Sequence, residues 1–363
     1  MPARRKRAPI IVATIVLSSV ALLSACSSSG SGSTSGGSSA TAASGAAINV
    51  GSGSLHPQKM KNIALILNDN LSATYSVALV NAAMATAKKD GVGLNLLYDN
   101  LSAPTELTNY ESVLSSGKYQ GVIVQPLTGQ LCQPVASDAI SHNIAFVAIV
   151  SPLCSDTAKP GSDPWAPGTI SFVGGMNNLS HTVSLMKSAA SNTPGPQKVL
   201  LVVGTQTLPD TVSFLAGYKQ YVQTNPQWTT AGTVYTDFTS PDALSQTENF
   251  LQGHKGVTMI FTSYAGITEG VVQAIQAQKL QGKIAVYDQT GGNAEDFTLV
   301  TNGQLTGTLP SYPASIGSAA VQALVDAGNG TTPERFIDND GNPQAVSGAI
   351  TKSTIGSNTA QYK

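Results

Sequence analysis

Charge is scarce in this chain. Asp, Glu, Lys and Arg make up 11% of its 363 residues and the formal net charge is -1, where an ordinary soluble domain has about 25% charged residues. Past the first seven residues the cations are scattered with no basic patch, so no nucleic-acid partner is expected. Histidine is rarer still: His56, His142, His181 and His254 stand apart, without metal-ligand spacing. No Gly-x-Ser-x-Gly elbow or phosphate loop occurs in the patterned part of the chain. The two Ser-x-x-Lys strings, Ser115 to Lys118 and Ser184 to Lys187, lack the companion motifs that would make them catalytic. These absences leave no candidate catalytic residue, metal site or cofactor, and a binding protein rather than an enzyme is expected. After Leu23 no apolar run reaches the ~20 residues that a membrane span needs.

What is present begins with a signal. Arg4, Arg5, Lys6 and Arg7 precede the uncharged run Ile10 to Leu23, a basic region followed by an apolar one. The run ends in Leu23-Ser24-Ala25-Cys26, which resembles the lipobox of bacterial lipoproteins. Residues 1–25 are therefore expected to be a signal peptide and Cys26 the lipidated residue. An ordinary signal with a coincidental cysteine, or an uncleaved anchor, are the alternatives. Ser27 to Gly45 is almost entirely Ser, Gly, Thr and Ala, a composition that cannot bury a core. Residues 26–58 read as lipidated end and tether, which puts the body outside the cytoplasm, anchored to the cell membrane by lipid. In an oxidising compartment Cys132 and Cys154, on loops at the same end of neighbouring strands, are expected to form a disulfide; two free buried thiols are the alternative.

The rest alternates strands and helices. Ile63 to Leu67 is a continuous apolar run suited to a strand buried on both faces, and Leu94 to Tyr98 repeats it. Between them Val77, Val80, Met84 and Ala87 fall at helical spacing, with Gly91 as a helix stop. Such a βαβ unit places ligands at the carboxyl ends of its strands, which directs attention to the loop Asn68 to Tyr75. Gly121 to Gln125 and Ile144 to Val150 continue the pattern as strands. Ser151 to Gly168, with Pro152, Pro160, Pro164 and Pro167, is too long for a simple connection and reads as a crossing between lobes. A second series follows, with strands at Ile170 to Val173, Lys198 to Val203, Val257 to Thr262 and Ile284 to Tyr287. The fold class is α/β, with two Rossmann-like lobes built on parallel sheets.

Several ordered features resemble the type I solute-binding proteins of bacterial ABC importers, in particular the ribose and galactose branch. Asn62 to Lys89 is similar to that family's first strand, ligand loop and helix, and Gln120-Gly121-Val122-Ile123-Val124-Gln125-Pro126 to its third strand. Phe261 to Ile275 resembles its strand and helix with a Gly-x-x-x-Ala stretch. Val286 to Gln289 resembles its Gly-Phe-Asp-Gly turn, and Asn302 to Thr308 its Asp-Gly-Lys-Leu-x-x-Thr segment. The resemblance implies a multi-strand hinge between an N-terminal lobe, residues 59–166 and 312–340, and a C-terminal lobe, residues 167–311 and 341–354.

By position, Ser72 and Tyr75 fall where sugar binders have an Asn and a stacking Phe, and Phe238 matches the aromatic of the second lobe. Asn177 and Asp288 fall on a family Asn and on the carboxylate that accepts ligand hydroxyls. Tyr264 stands where the family has an Asn, and Ser311 where it has a Gln. The Asp-Arg pair expected after the fourth strand is Val150-Ser151 here, and the family's arginine near Val212 and Phe214 is missing. Loss of bidentate donors argues against an aldose held in the usual way. Core or rim packing is the competing reading of Tyr75, Phe238, Tyr264 and Tyr312, and capping of the following turn is that of Asp288. The expected function is capture of a small neutral solute by lobe closure, followed by delivery to an ABC permease and its ATPase, the protein acting as a monomer. A ligand-sensing lipoprotein coupled to a receptor or kinase, or import of a nucleoside or aromatic compound, are the alternatives.

Overall fold

The computed structural model describes residues 46–363 except 70, 72, 155–162, 176–177 and 357. The signal peptide, Cys26, the Ser/Gly-rich stretch to residue 45, Ser72 and Asn177 therefore lie outside the described residues.

The described chain opens with an antiparallel pair, β1 (Ile48–Asn49) and β2 (Ser54–Leu55), whose Ile48 and Leu55 are buried in the first core. Residues 48–55 thus belong to the body, and the expected tether to residue 58 is too long; two buried aliphatics outweigh the Ser/Gly bias of their neighbours. There follow β3 (Asn62–Leu67), α1 (Thr74–Lys89), β4 (Gly93–Tyr98), α2 (Ala103–Ser115), β5 (Gly121–Val124), α3 (Cys132–Ser141), β6 (Ala145–Ile149) and β7 (Thr169–Val173). The second series is α4 (Leu179–Asn192), β8 (Gln197–Val203), α5 (Pro209–Thr224), β9 (Trp228–Tyr235), α6 (Ser240–Gly253), β10 (Met259–Thr262), α7 (Ala265–Ala277), β11 (Ala285–Gly291), α8 (Ala294–Thr301) and β12 (Gly307–Pro310). The chain ends with α9 (Pro313–Gly328), β13 (Phe336–Ile337) and β14 (Ile350–Thr351).

Two six-stranded sheets result, ordered β13-β7-β6-β5-β3-β4 and β14-β12-β11-β10-β8-β9. Every pairing in them is parallel except β12 with β14. The apolar runs explain the burial. In β3, Ile63, Leu65 and Leu67 enter one core while Ala64 and Ile66 enter the core on the opposite face. In β8, Val199, Leu201 and Val203 divide from Leu200 and Val202 in the same way. With about 1.5–3 kcal/mol for each fully buried aliphatic side chain, a two-faced strand of this kind is the strongest anchor in its lobe. Helix α9 returns to the first lobe and packs on α1, where Gly317 lets the helices approach so closely that a Cβ would run into the Leu79 carbonyl.

The strand Thr169–Val173 pairs with β6 in the first sheet, so the first lobe runs past residue 166 to Val173. β6 and β7 are therefore neighbours in one sheet, and the crossing expected at Ser151 to Gly168 comes after β7 instead. Cys132 and Cys154 are joined, with Cα atoms 4.9 Å apart, at the carboxyl end of the first sheet. The chain passes between the sheets three times, after β7, after β12 and between β13 and β14. These three segments are tied together by Asp340, which is 2% exposed. Its carboxylate accepts from Ser311 Oγ at 2.7 Å and Tyr312 N at 3.0 Å, and its amide donates to the Gly174 carbonyl at 2.9 Å. Among the described residues no helix is long and apolar enough to cross a membrane.

Candidate functional site

Both parallel sheets end at one cavity of about 540 Å³, within the size range of small-molecule sites. The first lobe lines it with Asn68 and Asp69 after β3, Tyr75 at the start of α1, Gln125 to Leu127 after β5, and Val150-Ser151 after β6. The second lobe contributes Leu208 to Asp210 before and at the start of α5, Asp237 to Thr239 after β9, Tyr264 after β10, and Thr290 at the end of β11. Ser311 joins from the crossing segment. Parallel strands put their carboxyl ends and following loops on one side, which is why distant sequence segments converge here.

Four of the sequence-derived candidates, Tyr75, Phe238, Tyr264 and Ser311, line the cavity. The Tyr75 ring meets Tyr362 edge-on, with centroids 5.7 Å apart, and the Tyr362 hydroxyl donates to the carbonyls of Thr290 at 3.1 Å and Gly291 at 3.2 Å. Burial, and next the nearby Asp340 carboxylate, push the Tyr75 phenol well above its ordinary range. Phe238 meets Tyr264 edge-on at 5.9 Å and covers Gly204, where a Cβ would collide with its ring. Its φ of +69 places a bulky residue in the left-handed region, a conformation kept where surrounding structure imposes it and concentrated at functional sites. Ser311 spends its hydroxyl on Asp340, so it serves the hinge as well as the cavity wall.

Asp288 does not line the cavity. It is fully buried inside the second lobe, accepting from Thr268 Oγ1 at 3.2 Å, and its Oδ1 has no partner among the described residues. Desolvation, and next the Asp296 charge, raise its pKa well above the usual carboxylate range. The physical reason is strand alternation: Asp288 pairs regularly with Thr262 and Thr308 and shares a face with Val286, which packs in the lobe's core, while Thr290, past the irregular pairing that follows Asp288, is the β11 residue at the cavity.

Three residues that sequence reasoning passed over are prominent. Asp69 accepts from Leu71 N at 2.6 Å and from the Ser76 hydroxyl, fixing the loop into α1. Asp210 sits in the first turn of α5 behind Pro209, and burial raises its carboxyl to about 6. Gln125 is 7% exposed, yet its carboxamide makes no hydrogen bond to any other described residue and its Oε1 is orphaned. Signals for two of them were present: Gln125 as the polar residue before Pro126, and Asp210 as an acidic first-turn residue after a proline. Among the described residues no group of His, Cys, Asp and Glu is arranged to hold a metal ion.

Residues 63–332 match the family model described as periplasmic binding protein domain. The chain belongs to the periplasmic binding protein family. Solved structures agree on its fold. An ABC transporter solute-binding protein from Bacillus halodurans C-125 with bound myo-inositol superposes with a TM-score of 0.70 at 13% identity, over 84% of this chain and 99% of that one. One from Mycobacterium smegmatis with bound glycerol gives 0.68 at 20% identity, over 83% and 99%. A periplasmic solute-binding protein from Actinobacillus succinogenes 130z with bound D-allose gives 0.68 at 18% identity, over 81% and 98%. No curated protein matches the sequence. In a periplasmic binding protein the groove between lobes is where both domains can meet one ligand, and the cavity here has that position.

Proposed function

We propose that this protein is the solute-capturing component of an ABC importer. It takes a small, sugar-like solute between its lobes, closes about the three crossing segments, and presents the closed form to a membrane permease driven by a cytoplasmic ATPase. It binds its solute without turning it over, works as a monomer outside the cytoplasm, and is held to the membrane through a lipid on Cys26. The observation that carries this reading is a single cavity lined from the strand ends of both lobes and bordered by a hinge residue, Ser311. A ligand shifts an open-closed equilibrium only through contacts it gains in the closed form, so a site shared by two lobes is the one requirement that closure imposes.

Aromatic faces at Tyr75, Phe238 and Tyr264 suit a ring or a compact polyol framework, with polar groups between them for its substituents. The test is thermal denaturation of the purified protein against pentoses, hexoses, polyols, nucleosides and amino acids. Binding to the native state raises the midpoint by mass action. A selective rise with a sugar-like compound, lost in Phe238→Ala, is the expected result; a rise confined to nucleosides or amino acids would replace the solute class.

A further inference from the structure

Asp69, Asp210 and Asp237 all line the cavity, and among its described lining residues there is no Lys, Arg or His. Asp237 lies exposed at the rim, held by Thr239 N at 2.9 Å and Thr239 Oγ1 at 2.6 Å. The other two lie deeper. Both Asp69 and Asp210 act on the Tyr264 phenol, whose pKa is pushed up to about 12 by burial first and by these charges, with Asp296, after it. The two carboxylates thus line one cavity from opposite lobes, together with Tyr264.

Closure over a neutral solute would strip water from Asp210 with no cation among the described lining residues to pair it, a heavy penalty for a carboxylate. A cation arriving with the ligand removes that penalty. Three aromatic rings beside the carboxylates add faces that attract positive charge. The Gln125 carboxamide supplies an independent sign: it is nine-tenths buried in the cavity wall and makes no hydrogen bond to a described residue. Rotation about its last bond exchanges oxygen and nitrogen, so it can offer an acceptor to a ligand N–H.

On the reading that this cavity is the solute site, we infer that the solute carries a positively charged nitrogen, received by Asp210 and Asp69 with Gln125 as a further acceptor. The chemical class is a small, sugar-like amine and not a neutral sugar. The ammonium replaces the bidentate donors that this cavity lacks: the ligand brings the N–H groups and the protein brings the acceptors.

Calorimetric titration of the purified protein with two matched pairs tests this: D-glucose against D-glucosamine, and myo-inositol against the aminocyclitol streptamine. Choline serves as a cation without a sugar frame. The cationic member of a pair should bind at least tenfold tighter, and Asp210→Asn should erase that margin while leaving the melting midpoint of the unliganded protein in place. Gln125→Leu should weaken the amine alone. Tighter binding of the neutral members would overturn the inference and leave the importer reading standing. Binding of choline alone would keep the charge and overturn the sugar-like frame. Binding of none of the five would count against both.

Discussion

Each lobe brings one deep carboxylate to the cavity, and the two are held differently. Asp69 of the first lobe is engaged, accepting from the Leu71 amide and the Ser76 hydroxyl. Asp210 of the second lobe accepts only from amides in the first turn of its own helix, and burial alone drives its carboxyl up to about 6. One shapes a loop; the other waits for a charge. The lobes differ also in how they are braced. The first has a disulfide, Cys132 to Cys154, across its cavity end. The second has instead an aromatic, Phe238, in left-handed backbone against Gly204. Rigidity on one side and a strained, unpaired site on the other suit a pair of jaws in which the second lobe reads the ligand.

The largest effect should come from the brace. Replacing both Cys132 and Cys154 by Ser opens a link between residues 22 apart in sequence, worth about 3 kcal/mol by loop-entropy reasoning. Denaturant unfolding should show that loss, with hydrogen exchange quickening around α3 and β6 while β8 to β11 stay protected. Equal quickening in both sheets would dissolve the distinction between the lobes.

Next are the two carboxylates. Asp210→Asn should cost about 1.4 kcal/mol or more of amine affinity, a factor of ten, with folding stability nearly unchanged. Asp69→Asn should do the reverse, lowering stability by about 1 kcal/mol through the loss of a cap-like acceptor and affecting affinity less. Interchanged outcomes would reverse the assignment of roles.

A pH dependence sharpens the same contrast. The other titratable groups on the cavity wall are Asp69, Tyr75, Asp237 and Tyr264. A bound cation favours ionised Asp210, so binding expels a proton and affinity falls as pH drops through about 6. Between pH 7 and pH 5 amine affinity should fall by up to about tenfold, seen by calorimetry in two buffers of different ionisation heat. Asp210→Asn should flatten the profile.

The smallest effect concerns Phe238. Gly204→Ala sets a Cβ against its ring, so the ring must move; affinity should fall a fewfold with the fold retained, since Gly204 follows the last residue of β8 and leaves its pairing intact.

Much of this architecture was legible in the sequence. Strands such as Ile63 to Leu67 declare themselves because burial on both faces demands an unbroken apolar run. The lobe boundary did not, because Pro-rich length at Ser151 to Gly168 resembles a linker, whereas only pairing with β6 reveals that β7 returns to its own sheet. For the site, positional likeness located Tyr75, Phe238, Tyr264 and Ser311 at the cavity, but it failed at Asp288, which strand alternation puts on the same face as the core residue Val286. Asp340 escaped notice for a related reason: its importance lies in tying together three segments distant in sequence, and no local pattern encodes that.

The most direct measurement is hydrogen exchange of the purified protein, with and without whichever compound most raises its melting midpoint. A ligand held between closing lobes should slow exchange together in both sets of strand-end loops, around residues 68–76 and 125–127 of the first lobe and 210–214, 237–240 and 264–268 of the second. Slowing confined to one lobe, or placed away from these loops, would contradict capture between the lobes.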